Sequence, residues 1–155
     1  MDFGGRYLFG TSRADVWAAL NDTEVLRAVI PGCESIAWTS ETTLDLKIRV
    51  NFGLVHPVFA GVLSLSDIRP AERYTLSGRG KGGLLGLAHG SAEIALEDAP
   101  NGTILGFQAI GSADAGIMRL GRALIGNSAQ RVIDGFFVSI GEQMGVPVVA
   151  LSQEK

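Results

Sequence analysis

Gly78, Gly80 and Gly83, within YTLSGRGKGGLLGLAHG (residues 74–90), fit G-x-G-x-x-G directly after the strand-like YTL. At that spacing glycines can bring backbone N–H groups up to a pyrophosphate, provided they open a helix whose N-terminus faces the anion. Here they lead instead into LAHGSAEIAL, where Ala88, Gly90, Ala92, Ile94 and Leu96 alternate with Leu87, His89, Ser91, Glu93 and Ala95. A period of two is a strand, not a helix. Lys81 is followed by glycine rather than Ser or Thr, so the phosphate loop G-x-x-x-x-G-K-[ST] fails as well, and no parallel βαβ repeat is present. Nucleotide binding is set aside.

The other residues able to do chemistry are isolated. His56 and His89 are the only histidines, and neither has Cys or carboxylates at metal-ligand spacing. His89 falls on the outward phase of its strand, and His56, before Pro57, reads as a surface histidine in a loop. Cys33 sits in a turn beside Glu34 with no base in sequence reach, which favours packing over nucleophilic attack. Asp and Glu fall mostly in turns and on outward faces, so paired carboxylates are lacking. No catalytic residue is expected. A net charge of −3, from 13 basic and 16 acidic side chains, provides no footprint for a nucleic-acid backbone. One cysteine and no apolar leader point to a cytoplasmic chain, and no apolar run approaches the roughly 18 residues of a membrane span.

The elements that position these residues follow from periodicity. FGGRYLF alternates as a strand, and Ser12 with Asp15 three residues on starts a short helix carrying Val16, Trp17 and Leu20. A second short helix starts at Asp22 or Thr23, places Val25, Leu26, Val29 and Ile30 on one stripe, and stops at Pro31-Gly32. From Glu34 to about Gly111 six strands follow one another, which makes seven in an antiparallel sheet. Residues 115–144 then repeat apolar positions at helical spacing, and Gly145 and Pro147 end that long helix. The plan is α+β, with one domain over residues 1–145 and a short tail over 146–155.

Glycine, at 21 of 155 residues, is about twice as frequent as usual. On the strand phase facing the helix, large residues occupy one end of several strands and small ones the other. Strands stay about 4.8 Å apart whatever their side chains, so small inward residues leave a hollow. An empty void of roughly 300 Å³ would cost about 7 kcal/mol, comparable to the stability of a whole domain, so a guest should fill it. The competing reading is that the glycines let the sheet curl or a helix approach. The expected lining is Tyr7, Trp38, Val50, Phe52, Phe59, Leu63, Tyr74, Leu76, Ala88, Ala92 and Phe107 from the sheet side, with Ile117, Leu120, Leu124 and Phe136 from the helix. Polar groups within reach are few: Tyr7, Trp38, Asn51, His56, Tyr74 and Gln108. Such a wall suits an apolar or amphipathic small molecule.

Val58, Ala60 and Val62 point to the opposite face, where a one-sided sheet normally shows polar residues. They form a candidate interface with a second copy, giving a homodimer, or with another protein. Arg119 and Arg122 on the long helix, with Arg79 and Lys81 on the glycine hairpin, read as a solvated basic face, the alternative being a rim for lipid headgroups.

FGGRYLF, DVWAALND, VIPGCESI, LSLSDI, YTLSGRGKGG, HGSAEIAL and RLGRALIGNSAQRVIDGFF together resemble the carbon monoxide dehydrogenase G-subunit family of the START-like, helix-grip (SRPBCC) superfamily. PGCES and YTLSGRGKGG followed by GSAE are the most specific parts. The resemblance implies a helix-grip fold: a seven-stranded antiparallel sheet wrapped around a long C-terminal helix, with two short helices after strand one and an apolar cavity between. It also implies a non-catalytic accessory protein of a molybdenum hydroxylase of the carbon monoxide dehydrogenase type, holding quinone or another isoprenoid or lipid without a covalent cofactor. The metal and flavin chemistry would belong to that partner. Longer members carry a C-terminal membrane tether, whereas this chain stops at Lys155, so the expected membrane contact is peripheral, at the inner face. The alternative is a small hydrolase or cyclase using the same cavity, as in some helix-grip relatives.

Overall fold

Ser12 and Asp22 start the two short helices, as their side chains predict. The computed structural model describes residues 2–49, 54, 56, 58–81, 87–113 and 129–151. In helix α1 (Arg13–Leu20) the Ser12 hydroxyl accepts from the Asp15 backbone N–H at 3.3 Å, and in α2 (Thr23–Val29) the Asp22 carboxylate accepts from Glu24 N–H at 2.9 Å. Each satisfies one of the orphan donors of a helix start. After α2, Gly32 turns the chain at φ 74°, where a Cβ would collide with the Arg49 carbonyl.

The strands are β1 (Asp2–Phe9), β2 (Cys33–Trp38), β3 (Thr43–Arg49), β4 (Val58–Arg69), β5 (Arg73–Lys81), β6 (Leu87–Ala99), β7 (Gly102–Ala113) and β8 (Val148–Leu151). They form one sheet in the order β2-β3-β4-β5-β6-β7-β1-β8, antiparallel throughout. Eight strands replace the seven expected, because β8 lies inside residues 146–155. It pairs Val148 with Phe9 and Leu151 with Arg6, and Gly10 N–H donates to the Pro147 carbonyl at 3.0 Å. The segment thereby satisfies the backbone groups that β1 would otherwise expose at a sheet edge. Four residues are too few for alternation to announce a strand.

Register places the small residues in transverse rows. Leu44, Leu63, Gly78, Gly90 and Gly111 stand opposite one another across β3 to β7, and Leu46, Gly61 and Gly80 form the next row. At the other end the rows are large: Tyr74, Ile94 and Phe107, then Leu96, Leu105 and Tyr7. Leu105 and Tyr7 pack with Phe9, Val16, Phe137 and Ile140 into a core almost sealed from water.

Helix α3 (Ala129–Met144) supplies Phe137 and Ile140 to that core; the expected helical stretch from 115 to 128 is outside the described residues. Its two glycines differ. A Cβ on Gly141 would strike the Val148 side chain and lie 2.9 Å from the Val146 carbonyl, whereas one on Gly135 would meet nothing within 4 Å. Gly141 lets β8 close over the helix. We expect Gly135→Ala to stabilise by about 0.5–1 kcal/mol through helix propensity, and Gly141→Ala to destabilise by about 1–3 kcal/mol through overpacking. Urea denaturation of both variants checks the opposite signs.

Candidate ligand cavity

The rows of small residues leave a concave inner surface. Phe59, Gly61, Leu63, Leu76, Gly78, Gly80, Gly90, Ala92, Ala109 and Gly111 line a hollow of about 480 Å³. Among the described residues, the atoms nearest to a Cβ placed on Gly78, Gly80 or Gly90 belong to the sheet itself: the Leu63 side chain, the Ala60 carbonyl and the Ile110 carbonyl. The glycines thus let neighbouring strands crowd and bend while keeping the inner wall low. Leu63 and Leu76 also line a second space of about 330 Å³. It is bounded by Leu65, Tyr74, Ile94 and Phe107 of the sheet, by Leu20, Leu26 and Ile30 at the two short helices, and by Ile133, Phe136 and Phe137 of α3.

Of the residues expected to line a cavity, Trp38, Leu63, Tyr74, Leu76, Phe107 and Phe136 meet at this second space, and Phe59 and Ala92 line the glycine hollow. Tyr7 faces inward but belongs to a separate polar recess of about 240 Å³ with Gln130, Asp134 and Ala150. Val50, Phe52, Ile117, Leu120 and Leu124 lie outside the described residues, as do Asn51, Arg119 and Arg122; Ala88 is placed by its backbone, opposite Ala113. Gln108 is exposed and shares the outer face with Glu93, so it does not reach the cavity. His56 is exposed, and so is His89, opposite Arg79 on the outer face. The sequence reading missed the contribution of the short helices and of Gln130 and Asp134. Those two stand four residues apart on α3, a polar pair on the flank of an otherwise apolar stripe, which is the signal that could have found them.

The two tyrosines are chemically different. Tyr7, 1% exposed, donates from its hydroxyl to Asp134 Oδ1 at 2.6 Å, and Gln130 Nε2 donates to the same carboxylate at 3.0 Å. Gly5 makes room, since a Cβ there would sit 2.6 Å from the Tyr7 hydroxyl. Burial first, then the hydrogen bond to and charge of Asp134, push the Tyr7 phenol above its ordinary range. Tyr74, 6% exposed, is pushed the same way by burial alone. Neither phenol serves as a base near neutrality, and of the two only Tyr7 ties its hydroxyl to another element of the fold.

A pH dependence follows. Both phenols stay protonated in the fold to higher pH than in the unfolded chain, where they ionise near 10. Their contribution is intact below about pH 10 and declines above it, because the unfolded chain then releases protons that the fold retains. The loss reaches about 1.4 kcal/mol per pH unit for each tyrosine. Denaturation midpoints measured from pH 7 to 11.5 should be level and then fall, with a shallower fall in a Tyr7→Phe, Tyr74→Phe double variant.

Burial also pushes the Cys33 thiol up, partly offset by the charge of Arg27, so it remains a thiol at neutral pH. No metal-binding cluster of His, Cys, Asp and Glu occurs among the described residues. No helix among them is long and apolar enough to cross a membrane.

On the outer face, Val58 and Val62 are 37% and 38% exposed, with Ala60 exposed between them. Val62 shares a surface groove with Arg79, His89 and Ile110, the last 63% exposed. An apolar strip beside a basic group is therefore presented on the side of the sheet opposite the cavity.

The family model for the G-subunit of carbon monoxide dehydrogenase (CoxG) matches residues 5–145 of this chain. No curated protein matches it by sequence. Among solved structures, a conserved protein from Geobacillus kaustophilus is 21% identical with a TM-score of 0.78, covering 96% of this chain and 99% of that one. A protein from Chromobacterium violaceum is 13% identical with a TM-score of 0.72, covering 92% and 96%. A protein from Rhizobium leguminosarum is 15% identical with a TM-score of 0.69, covering 94% of each chain. At these identities the likeness is one of fold, the START-like helix-grip architecture.

Proposed function

The chain belongs to the carbon monoxide dehydrogenase G-subunit (CoxG) family, and from that membership we propose that it is a non-catalytic accessory module that carries an apolar guest, a quinone, for a molybdenum hydroxylase of the carbon monoxide dehydrogenase type. Family membership accounts for the accessory role in a carbon monoxide dehydrogenase system. The guest is supported by one observation above all: two adjoining apolar spaces of about 480 and 330 Å³ share Leu63 and Leu76 beneath the sheet. Their volumes fall in the range of small-molecule sites, and their inner walls are almost entirely hydrocarbon. A quinone fits that chemistry, since its ring and isoprenoid chain are apolar and its polar atoms are few. Redox turnover would remain with the partner enzyme, and the carrier would shelter the quinone between that enzyme and the membrane.

Both tryptophans report on the second space, Trp38 by lining it and Trp17 by packing on Tyr74 with ring centroids 5.2 Å apart. Titration with the short naphthoquinone menadione should quench their fluorescence saturably, to one equivalent. Quenching that stays linear with concentration, as free collision produces, would overturn the reading.

In this reading the partner docks on the outer face, at Val58, Ala60 and Val62. These exposed apolar side chains stand between Lys47 and Arg49 on β3 and Arg79 and Lys81 on β5, an apolar strip within a charged border that resembles an interface core and its rim. Val62→Glu should abolish co-purification with the dehydrogenase while leaving menadione quenching intact; unchanged co-purification removes the docking assignment alone.

A further inference from the structure

We propose that Tyr74 is the hydrogen-bond donor that orients the guest, so that a carbonyl-type acceptor lies at the Tyr74 end and the hydrocarbon part runs toward the glycine rows. This rests on the guest-binding reading above and adds a direction and a chemical requirement to it. The polar groups around the 330 Å³ space are few, and all but one are committed. Asn21 Nδ2 donates to the Trp17 carbonyl at 2.9 Å, and Trp38 Nε1 donates to the Asn21 carbonyl at 3.4 Å. The Tyr74 hydroxyl finds no hydrogen-bond partner among the described residues, although the residue is only 6% exposed. Nor is that oxygen sealed inside protein, because no fully buried side-chain oxygen or nitrogen is left unpaired among the described residues. It therefore keeps accessible surface, and Tyr74 is one of the residues that line the 330 Å³ space.

The contrast with Tyr7 sharpens the point. Tyr7 is also buried and spends its proton on Asp134 at 2.6 Å. Buried hydroxyls are ordinarily paired, and one left without a partner marks a place where something else supplies the acceptor. Trp17 and Tyr74 pack with their rings perpendicular, at 88° and 5.2 Å between centroids, which restrains the phenol ring. The phenol stays neutral well past pH 7, so it donates a proton in a hydrogen bond without carrying charge into the apolar site. Leu63, Leu76 and the glycines beyond them are apolar, and Arg79, His89 and Ser91, which also border that hollow, stand on the opposite strand phase, so the far end of the guest is hydrocarbon. The class that satisfies both ends is an apolar ring ketone or quinone with an alkyl or isoprenoid substituent.

The test compares two probes, menadione and 2-methylnaphthalene, which share a ring frame but differ in the two carbonyls. In the wild-type protein menadione should bind more tightly than the hydrocarbon. Tyr74→Phe should weaken menadione about three- to tenfold, the value of one hydrogen bond, and leave 2-methylnaphthalene unchanged. Its melting temperature should not fall, because the lost hydroxyl had no protein partner. Unchanged menadione affinity in Tyr74→Phe overturns the assignment while the cavity reading survives, and an equal loss for both probes overturns it by showing a packing role. If neither probe binds the wild-type protein, the cavity reading and this inference fall together.

Discussion

Phe137→Ala is expected to lower the free energy of unfolding by about 3–5 kcal/mol, the usual cost of deleting a fully buried aromatic ring. Phe137 is 2% exposed and stands where three parts of the fold meet: its ring lies 4.6 Å from Tyr7 on β1, 5.4 Å from Phe107 on β7 and 5.1 Å from Phe136 on its own helix. Removing it deletes burial and three ring contacts, and it also enlarges the 330 Å³ space that the same ring bounds. Against a typical domain stability of 5–15 kcal/mol the variant would be marginal. Its melting temperature should drop by about 10 °C or more. Val132→Ala, one helical turn or so away and 39% exposed, is the control and should cost under about 1 kcal/mol. Equal losses in the two variants would mean that α3 does not grip the sheet through Phe137.

The second large effect concerns the guest rather than the fold. Leu76 stands between Leu65 and Ala92 on neighbouring strands and lines both apolar spaces. Leu76→Trp should lean into the room left by Ala92 and block the passage from one space to the other. Menadione quenching should then weaken by more than about tenfold, a change of about 1.4 kcal/mol. Overpacking of a filled core costs about 1–3 kcal/mol, whereas adding bulk to open space does not. A melting temperature at or above the wild-type value therefore identifies the site as hollow. A sharp fall in stability with binding unchanged would show that Leu76 already sits in close-packed surroundings.

Much of this arrangement could be read from alternation. Arg73–Lys81 is the strand that RYTLSGRGK announces, and the phases of β3 to β7 correctly put Leu44, Phe59, Tyr74 and Ile94 on the side facing α3. The same alternation, applied consistently, also puts Gln108 outside, between the inward Phe107 and Ala109. Alternation does not supply register. That Gly78, Gly90 and Gly111 stand in one row depends on how each hairpin closes, and β4 to β5 closes with an irregularity near Ser66 and Arg69 and with positive φ at Asp67 and Ala71. No glycine or Asn-Gly pair marks those two residues. Strand β8 is too short to show a period and gains its stability from the edge of β1. The difference between the two tyrosines was equally invisible, since Tyr7 finds its acceptor 127 residues away.

Native mass spectrometry of protein purified without detergent tests the central claim most directly. The account predicts a 1:1 adduct whose mass, released on activation, is that of an isoprenoid quinone or a similar apolar molecule, and its absence from Leu76→Trp. Bare wild-type protein that also takes up no added menadione would contradict it.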